Sequence, residues 1–255
     1  MTATGESGVC PTLLRVRGLS MRFGGVIVIN RVDLQVEDGE LLCLIGPNGA
    51  GKTTFFKTLT GQLRPSSGSI EFLGRPLVGL QRHEIARRGI GVKTQVPSVF
   101  DGLSVRESLY LAIRAQNRGA GRRERMARVD ALLEEVRIGA IADRTLAQLA
   151  HGQRQWVELA MVLAAEPRLV LLDEPVAGMS DEETARTAAL VRRLRGRRTL
   201  IVVEHDMRFV RDIADRVAVL HQGALLCEGA VDDVLGNERV RDVYLGRGDG
   251  AARTA

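Results

Sequence analysis

The chain has 255 residues, of which 45% are hydrophobic and 26% charged, values that exclude collagen-like, coiled-coil and disordered classes and allow one large folded core. Its apolar runs stop short of the roughly 20 residues needed to span a bilayer, and Met1–Pro11 lacks the basic-then-apolar order of a secretory signal. A cytoplasmic location is therefore expected. The net charge of +5 suits nucleic acid, anionic lipid or a nucleotide as partner and does not choose among them.

Five short branched-aliphatic runs, at residues 13–16, 41–45, 90–92, 169–172 and 200–203, read as buried strands of a largely parallel sheet. Helical spacing and capping signals lie between several of them, so the expected fold class is α/β. After residues 41–45 comes Gly46, Pro47, Asn48, Gly49, Ala50, Gly51, Lys52, Thr53, which fits G-x-x-x-x-G-K-[ST] between a strand and a helical stretch that opens at Thr54. Gly49 and Gly51 let backbone N–H groups turn inward around phosphate, above the positive end of the following helix. Lys52 then supplies a cation for the β- and γ-phosphates and Thr53 a hydroxyl for Mg²⁺.

Strand signals disappear from Ser104 to about Ala165. Val105, Leu109, Ala112 and Ile113 recur at helical spacing behind the capping box Ser104-x-x-Glu107. Met126, Val129, Leu132, Leu133 and Val136 mark a second amphipathic helix, separated from the first by Gly119–Gly121. This stretch reads as an inserted helical subdomain. Its basic run, Arg114 to Arg128, contains no aromatic residue to stack on bases. It is either a solvated helix face or a surface near lipid headgroups.

The run at residues 169–172 ends in Asp173 and Glu174, two carboxylates at the sheet edge where a P-loop also ends. Asp173 is suited to the Mg²⁺ shell and Glu174 to polarising the attacking water; without the P-loop the pair would read as a helix cap. Cys10, Cys43 and Cys227 lack CxxC spacing and read as inert structural thiols.

Between the P-loop and these carboxylates stands Leu149-Ala-His-Gly-Gln-Arg-Gln155, which resembles the signature motif, LSGGQ, of ABC-transporter ATPases. The resemblance extends from about Leu13 to Leu245. It implies one ATPase domain over residues 11–245, with an α/β core at 11–95 and 166–245, an antiparallel β edge, a helical subdomain at 96–165, and flexible tails at 1–10 and 246–255. It also implies that Gln95 is the Q-loop residue touching Mg²⁺ and the attacking water, and that His205 is the switch histidine at the γ-phosphate. Phe23 is placed like the aromatic that stacks on adenine, with a core phenylalanine as the rival reading. Such ATPases work as head-to-tail pairs, so Ala150, Gly152 and Gln153 would meet nucleotide bound to a second ATPase chain. Ala150 stands where the pattern has Ser, which removes a hydrogen bond to charged phosphate, about 1.5–3 kcal/mol in general. Ser180 likewise replaces the Asp that many relatives carry at the end of the loop Ala177-Gly-Met-Ser180.

Residues 89–100, the stretch His151–Trp156, the run Asp173–Met179 and the ending Val243-Tyr-Leu-Gly246 resemble the urea-importer ATPase of the branched-chain amino-acid and amide uptake group. That implies ATP and Mg²⁺ as cofactors, membrane permease subunits as partners, an indirect extracytoplasmic solute-binding protein, no nucleic acid, and a peripheral place on the cytoplasmic face of the membrane. Branched-chain amino acids are the alternative solute. A regulatory module without turnover and a soluble ABC protein of repair or translation are the readings from other classes. Trp156 is either core or a subfamily-specific contact.

Overall fold

A computed structural model describes residues 11–93, 101–116 and 119–245. In chain order the elements begin with β1 (Thr12–Phe23), β2 (Val26–Glu37), β3 (Leu41–Ile45), α1 (Lys52–Leu59), β4 (Ser67–Phe72), β5 (Arg75–Pro76), α2 (Arg82–Arg87) and β6 (Ile90–Lys93). Helices α3 (Val105–Gln116), α4 (Arg122–Glu135) and α5 (His151–Leu163) follow, then β7 (Leu169–Asp173), α6 (Asp181–Leu194) and β8 (Thr199–Val203). The described chain closes with α7 (Met207–Ile213), β9 (Arg216–His221), β10 (Ala224–Gly229), α8 (Val231–Gly236) and α9 (Glu238–Leu245).

Two sheets form. The six-stranded one has the order β10-β9-β3-β8-β7-β6, parallel throughout except for the β9–β10 hairpin. The four-stranded one, β2-β1-β4-β5, is antiparallel. The run at residues 13–16 was expected in the parallel sheet and instead lies in this second sheet. The reason shows in its partner β2, where Val32, Leu34 and Val36 are buried and the residues between them exposed, as in a sheet with only one face on the core.

Strands β3, β7 and β8 are buried at every residue because both faces of the large sheet are covered. Alternation divides β3 cleanly: Leu42 and Leu44 pack with Phe55 and Phe56 of α1 and with the antiparallel sheet, whereas Leu41, Cys43 and Ile45 pack on the helical side. That second core continues without a break through Val105, Leu109, Val129 and Leu132 into the helices of the middle stretch. The Ser104 box forms as expected, with the Glu107 carboxylate accepting from the Ser104 N–H at 2.8 Å and the Ser104 hydroxyl accepting from the Glu107 N–H at 3.2 Å. No helix among the described residues is long and apolar enough to cross a membrane.

Candidate functional site

Register decides where the chemistry falls. Leu44 pairs with Val203, Asp173 with Val203, and Lys93 with Leu172, so the carboxyl ends of β3, β6, β7 and β8 finish in one row. The P-loop, Asp173–Glu174 and Glu204–His205 all leave from that edge, the usual place for ligands in a parallel sheet.

The P-loop needs its glycines for measurable reasons. A Cβ on Gly46 would lie 2.1 Å from the Leu220 carbonyl oxygen, and one on Gly51, at φ +101, would lie 2.7 Å from that of Val28. Gly51 caps α1, whose first residue is Lys52. The Lys52 ammonium donates to the carbonyls of Gly46 at 2.5 Å and Pro47 at 3.0 Å. Burial lowers its proton affinity, and the charges of Glu174 and Asp173 pull it back up, so all three groups face one another. Asn48, Gly49 and Thr53 are exposed, Pro47 and Thr54 partly so, and Ala50 is buried.

Asp173 is buried, which raises its carboxyl above the usual range; the neighbouring Glu174 charge adds to the rise, while Lys57, Lys93 and Lys52 oppose it. No hydrogen bond among the described residues reaches its side chain. Glu174 sits at φ +47, with its N–H donating to the Val203 carbonyl at 2.9 Å. Its Oε1 lies 3.7 Å from Nδ1 of His205, which is exposed.

The signature segment opens α5 on another part of the surface. Ala150 is the N-cap and has no side-chain acceptor; its own N–H donates to the Gln153 side-chain oxygen at 3.2 Å. Gly152 is buried against α6, where an added Cβ would meet Glu183 Oε1 at 2.3 Å. The neighbouring His151 ring bonds to the Ala177 carbonyl at 3.1 Å, and no hydrogen bond among the described residues joins this segment to the P-loop. Phe23 is 47% exposed at the end of β1, which removes the core reading. Gln95 and Cys10 lie outside the described residues. Cys43 is buried and Cys227 partly so, and both are free.

Sequence reasoning missed three features. Glu204 is buried at the head of the histidine loop. Lys93, Gln155 and Glu158 form a buried polar cluster between β6 and α5, with Lys93 donating to Gln155 and lying 3.6 Å from Glu158. Tyr244 of α9 sits beside the Gly46 backbone; partial burial pushes its phenol up to about 12 and the polar Gly46 backbone opposes the rise. Only Glu204 carried a readable signal, as an acid directly after an aliphatic strand beside a flagged histidine.

Residues 29–177, more than half of the chain, match the ABC transporter family. The chain belongs to that family. It is 38% identical over 249 residues to the high-affinity branched-chain amino acid transport ATP-binding protein BraF of Pseudomonas aeruginosa, a match covering 92% of this chain and 98% of that protein. It is 36% identical to the lipopolysaccharide export system ATP-binding protein LptB of Acidithiobacillus ferridurans, covering 92% and 97% of the two chains. Among solved structures, an ATP-binding cassette of an ABC transporter in its ADP conformation superposes with a TM-score of 0.82 at 25% identity, covering 92% of this chain and 99% of that one. The α/β cassette fold is thereby established, and the ABC chain is an ATP-binding ATPase.

Proposed function

We propose that this ABC ATPase energises uptake of a branched-chain amino acid through separate permease subunits, from the cytoplasmic face of the membrane. The observation that carries the solute is the likeness to BraF along 92% of the chain. It favours branched-chain amino acids over urea or another short amide, although the solute would not touch these residues.

In this reading the backbone from Gly46 to Thr54 cradles the ATP phosphates, and Lys52 exchanges its two carbonyl partners for β- and γ-phosphate oxygens. Asp173, a hard oxygen donor that accepts no hydrogen bond from the described residues, fits Mg²⁺ together with the exposed Thr53 hydroxyl; Gln95, outside the described residues, would join them. The remaining positions around such an ion would be filled by ATP phosphate oxygens and water. When bound, Mg²⁺ would supply neutralisation of charge on the transferring phosphoryl group. Glu174 orients the attacking water and takes its proton on the carboxylate. His205, 3.7 Å away, holds that carboxylate and the γ-phosphate in register. Phe23 stacks on adenine. Ala150, Gly152 and Gln153 close over ATP held by a second ATPase chain, arranged head to tail. The division into a core at 11–95 and 166–245 and a helical subdomain at 96–165 belongs to the same reading.

The test is ATP turnover by this chain assembled with its candidate permease chains, second ATPase and solute-binding protein, titrated with leucine and with urea. Stimulation by leucine alone is expected, with Glu174→Gln removing this chain's share. Stimulation by urea alone would replace the solute, and wild-type turnover in Glu174→Gln would overturn the catalytic assignment.

A further inference from the structure

Glu204 follows the last residue of β8 and is 1% exposed. An isolated carboxylate there would be costly to bury, and the structure satisfies both of its oxygens from two different loops. Oε1 accepts from the Val176 N–H at 3.3 Å, in the loop that leaves β7 through Glu174. Oε2 accepts from the N–H groups of His205 at 3.0 Å and Asp206 at 3.4 Å, in the loop that leaves β8. The Glu204 N–H itself donates to the Leu44 carbonyl at 3.3 Å, tying this carboxylate to the strand that feeds the P-loop. A carboxylate suits the position because it is acceptor-only on both oxygens, whereas the amide of Gln would turn two donors toward backbone N–H groups.

The geometry points to Glu204 as a positioning residue for ATP hydrolysis: its side chain bridges the Glu174 loop to the His205 loop and so sets the separation of Glu174 from His205. This rests on the roles given above to those two residues. Glu174 needs such a brace. It lies at φ +47, a left-handed conformation that disfavours a non-glycine residue and persists only where surrounding bonds over-determine it. Its N–H is held by the Val203 carbonyl, and two residues on the chain is held again by Glu204. Lys93 faces Glu204 from β6. The His205 ring faces it as well, with Nδ1 3.8 Å from Glu204 Oε2, and burial raises the Glu204 carboxyl while the three backbone N–H groups and His205 oppose the rise.

The experiment compares the full-length wild type with Glu204→Gln and Glu204→Asp, the latter keeping the charge but being too short to span both loops. For both, kcat is expected to fall by about tenfold or more, with equilibrium binding of a fluorescent ATP analogue within about twofold of wild type. Amide hydrogen exchange at Val176 and His205 is expected to quicken in step. Wild-type kcat in both variants overturns the inference, as does a loss of kcat matched by an equal loss of ATP binding. If Glu204→Gln does not fold, Glu204→Asp decides alone by the same readings. Glu174→Gln and His205→Ala are measured alongside. Full turnover in those two would sink the underlying assignment, whereas their inactivity beside active Glu204 variants would sink this inference only.

Discussion

The indole N–H of Trp156 donates to the Thr187 hydroxyl across 2.9 Å, fastening α5, the helix opened by the signature segment, to α6. Thr187 in turn donates to the Glu183 carbonyl at 2.8 Å, and the Arg186 guanidinium lies 3.8 Å over the Trp156 ring. Trp156 is therefore part of the core. Trp156→Phe keeps most of the buried ring but loses the hydrogen bond and weakens the cation–π contact. It is expected to destabilise the protein by about 1–3 kcal/mol, read from the midpoint of urea unfolding. Thr187→Val should lose most of the same increment, and the two changes together less than their sum.

Ala150 is the N-cap of α5 without a capping oxygen. Ala150→Ser restores an acceptor for the orphan N–H groups of the first turn and is expected to stabilise the chain by about 0.5–2 kcal/mol in the absence of nucleotide. If the chains pair head to tail as proposed, the same hydroxyl would face the γ-phosphate of the partner's ATP, and turnover should also rise. Thermal unfolding and steady-state ATPase separate the effects: a higher melting temperature with unchanged turnover would leave only the cap.

Phe23 ends β1 with nearly half its surface in solvent, next to Val26 and Ile27, which are also exposed. An aromatic there does little for the core, so Phe23→Ala should leave the unfolding midpoint nearly unchanged. If the ring stacks on adenine, ATP affinity should fall by about 1–3 kcal/mol, the range for a base on an aromatic side chain, and Phe23→Trp should retain it. A fluorescent ATP analogue reads the difference directly.

What the sequence made legible follows from how local each signal is. The P-loop, the Asp173–Glu174 pair and the Ser104 box are contiguous, and each was found because its chemistry and its structural cue sit within a few residues. The antiparallel edge followed from the family resemblance and not from the residues, because the period-2 alternation of β2 and β4 is interrupted by register shifts against β1, a weaker pattern than the continuous aliphatic run of β3. The run Val217–Leu220 in β9 had that strong pattern and was overlooked. The brace at Glu204 and the pairing of Lys93 with Glu158 depend on residues that are far apart in the chain and meet only once the strands are in register. No local spacing encodes them.

Lys93 and Glu158 illustrate what such a pair does to stability. Both are buried, they lie 3.6 Å apart, and Glu158 Oε1 has no hydrogen-bond partner among the described residues. Burial raises the Glu158 carboxyl and lowers the Lys93 ammonium, in each case against the pull of the other. The sign for Glu158 follows from proton affinity: the folded state holds this proton more tightly than the unfolded state. Its contribution is therefore fully present below the ordinary value of 4.5 and is lost as pH rises through the raised one. Lys93→Met alone strands the carboxylate and is expected to destabilise by about 3–5 kcal/mol at neutral pH, with partial recovery on acidification. Lys93→Met combined with Glu158→Leu removes both charges. It should be neutral to about 4 kcal/mol more stable than wild type, with a flatter melting temperature between acid and neutral pH. A double variant as unstable as Lys93→Met alone would mean that the cluster is held by its Gln155 contact and not by the charge pair.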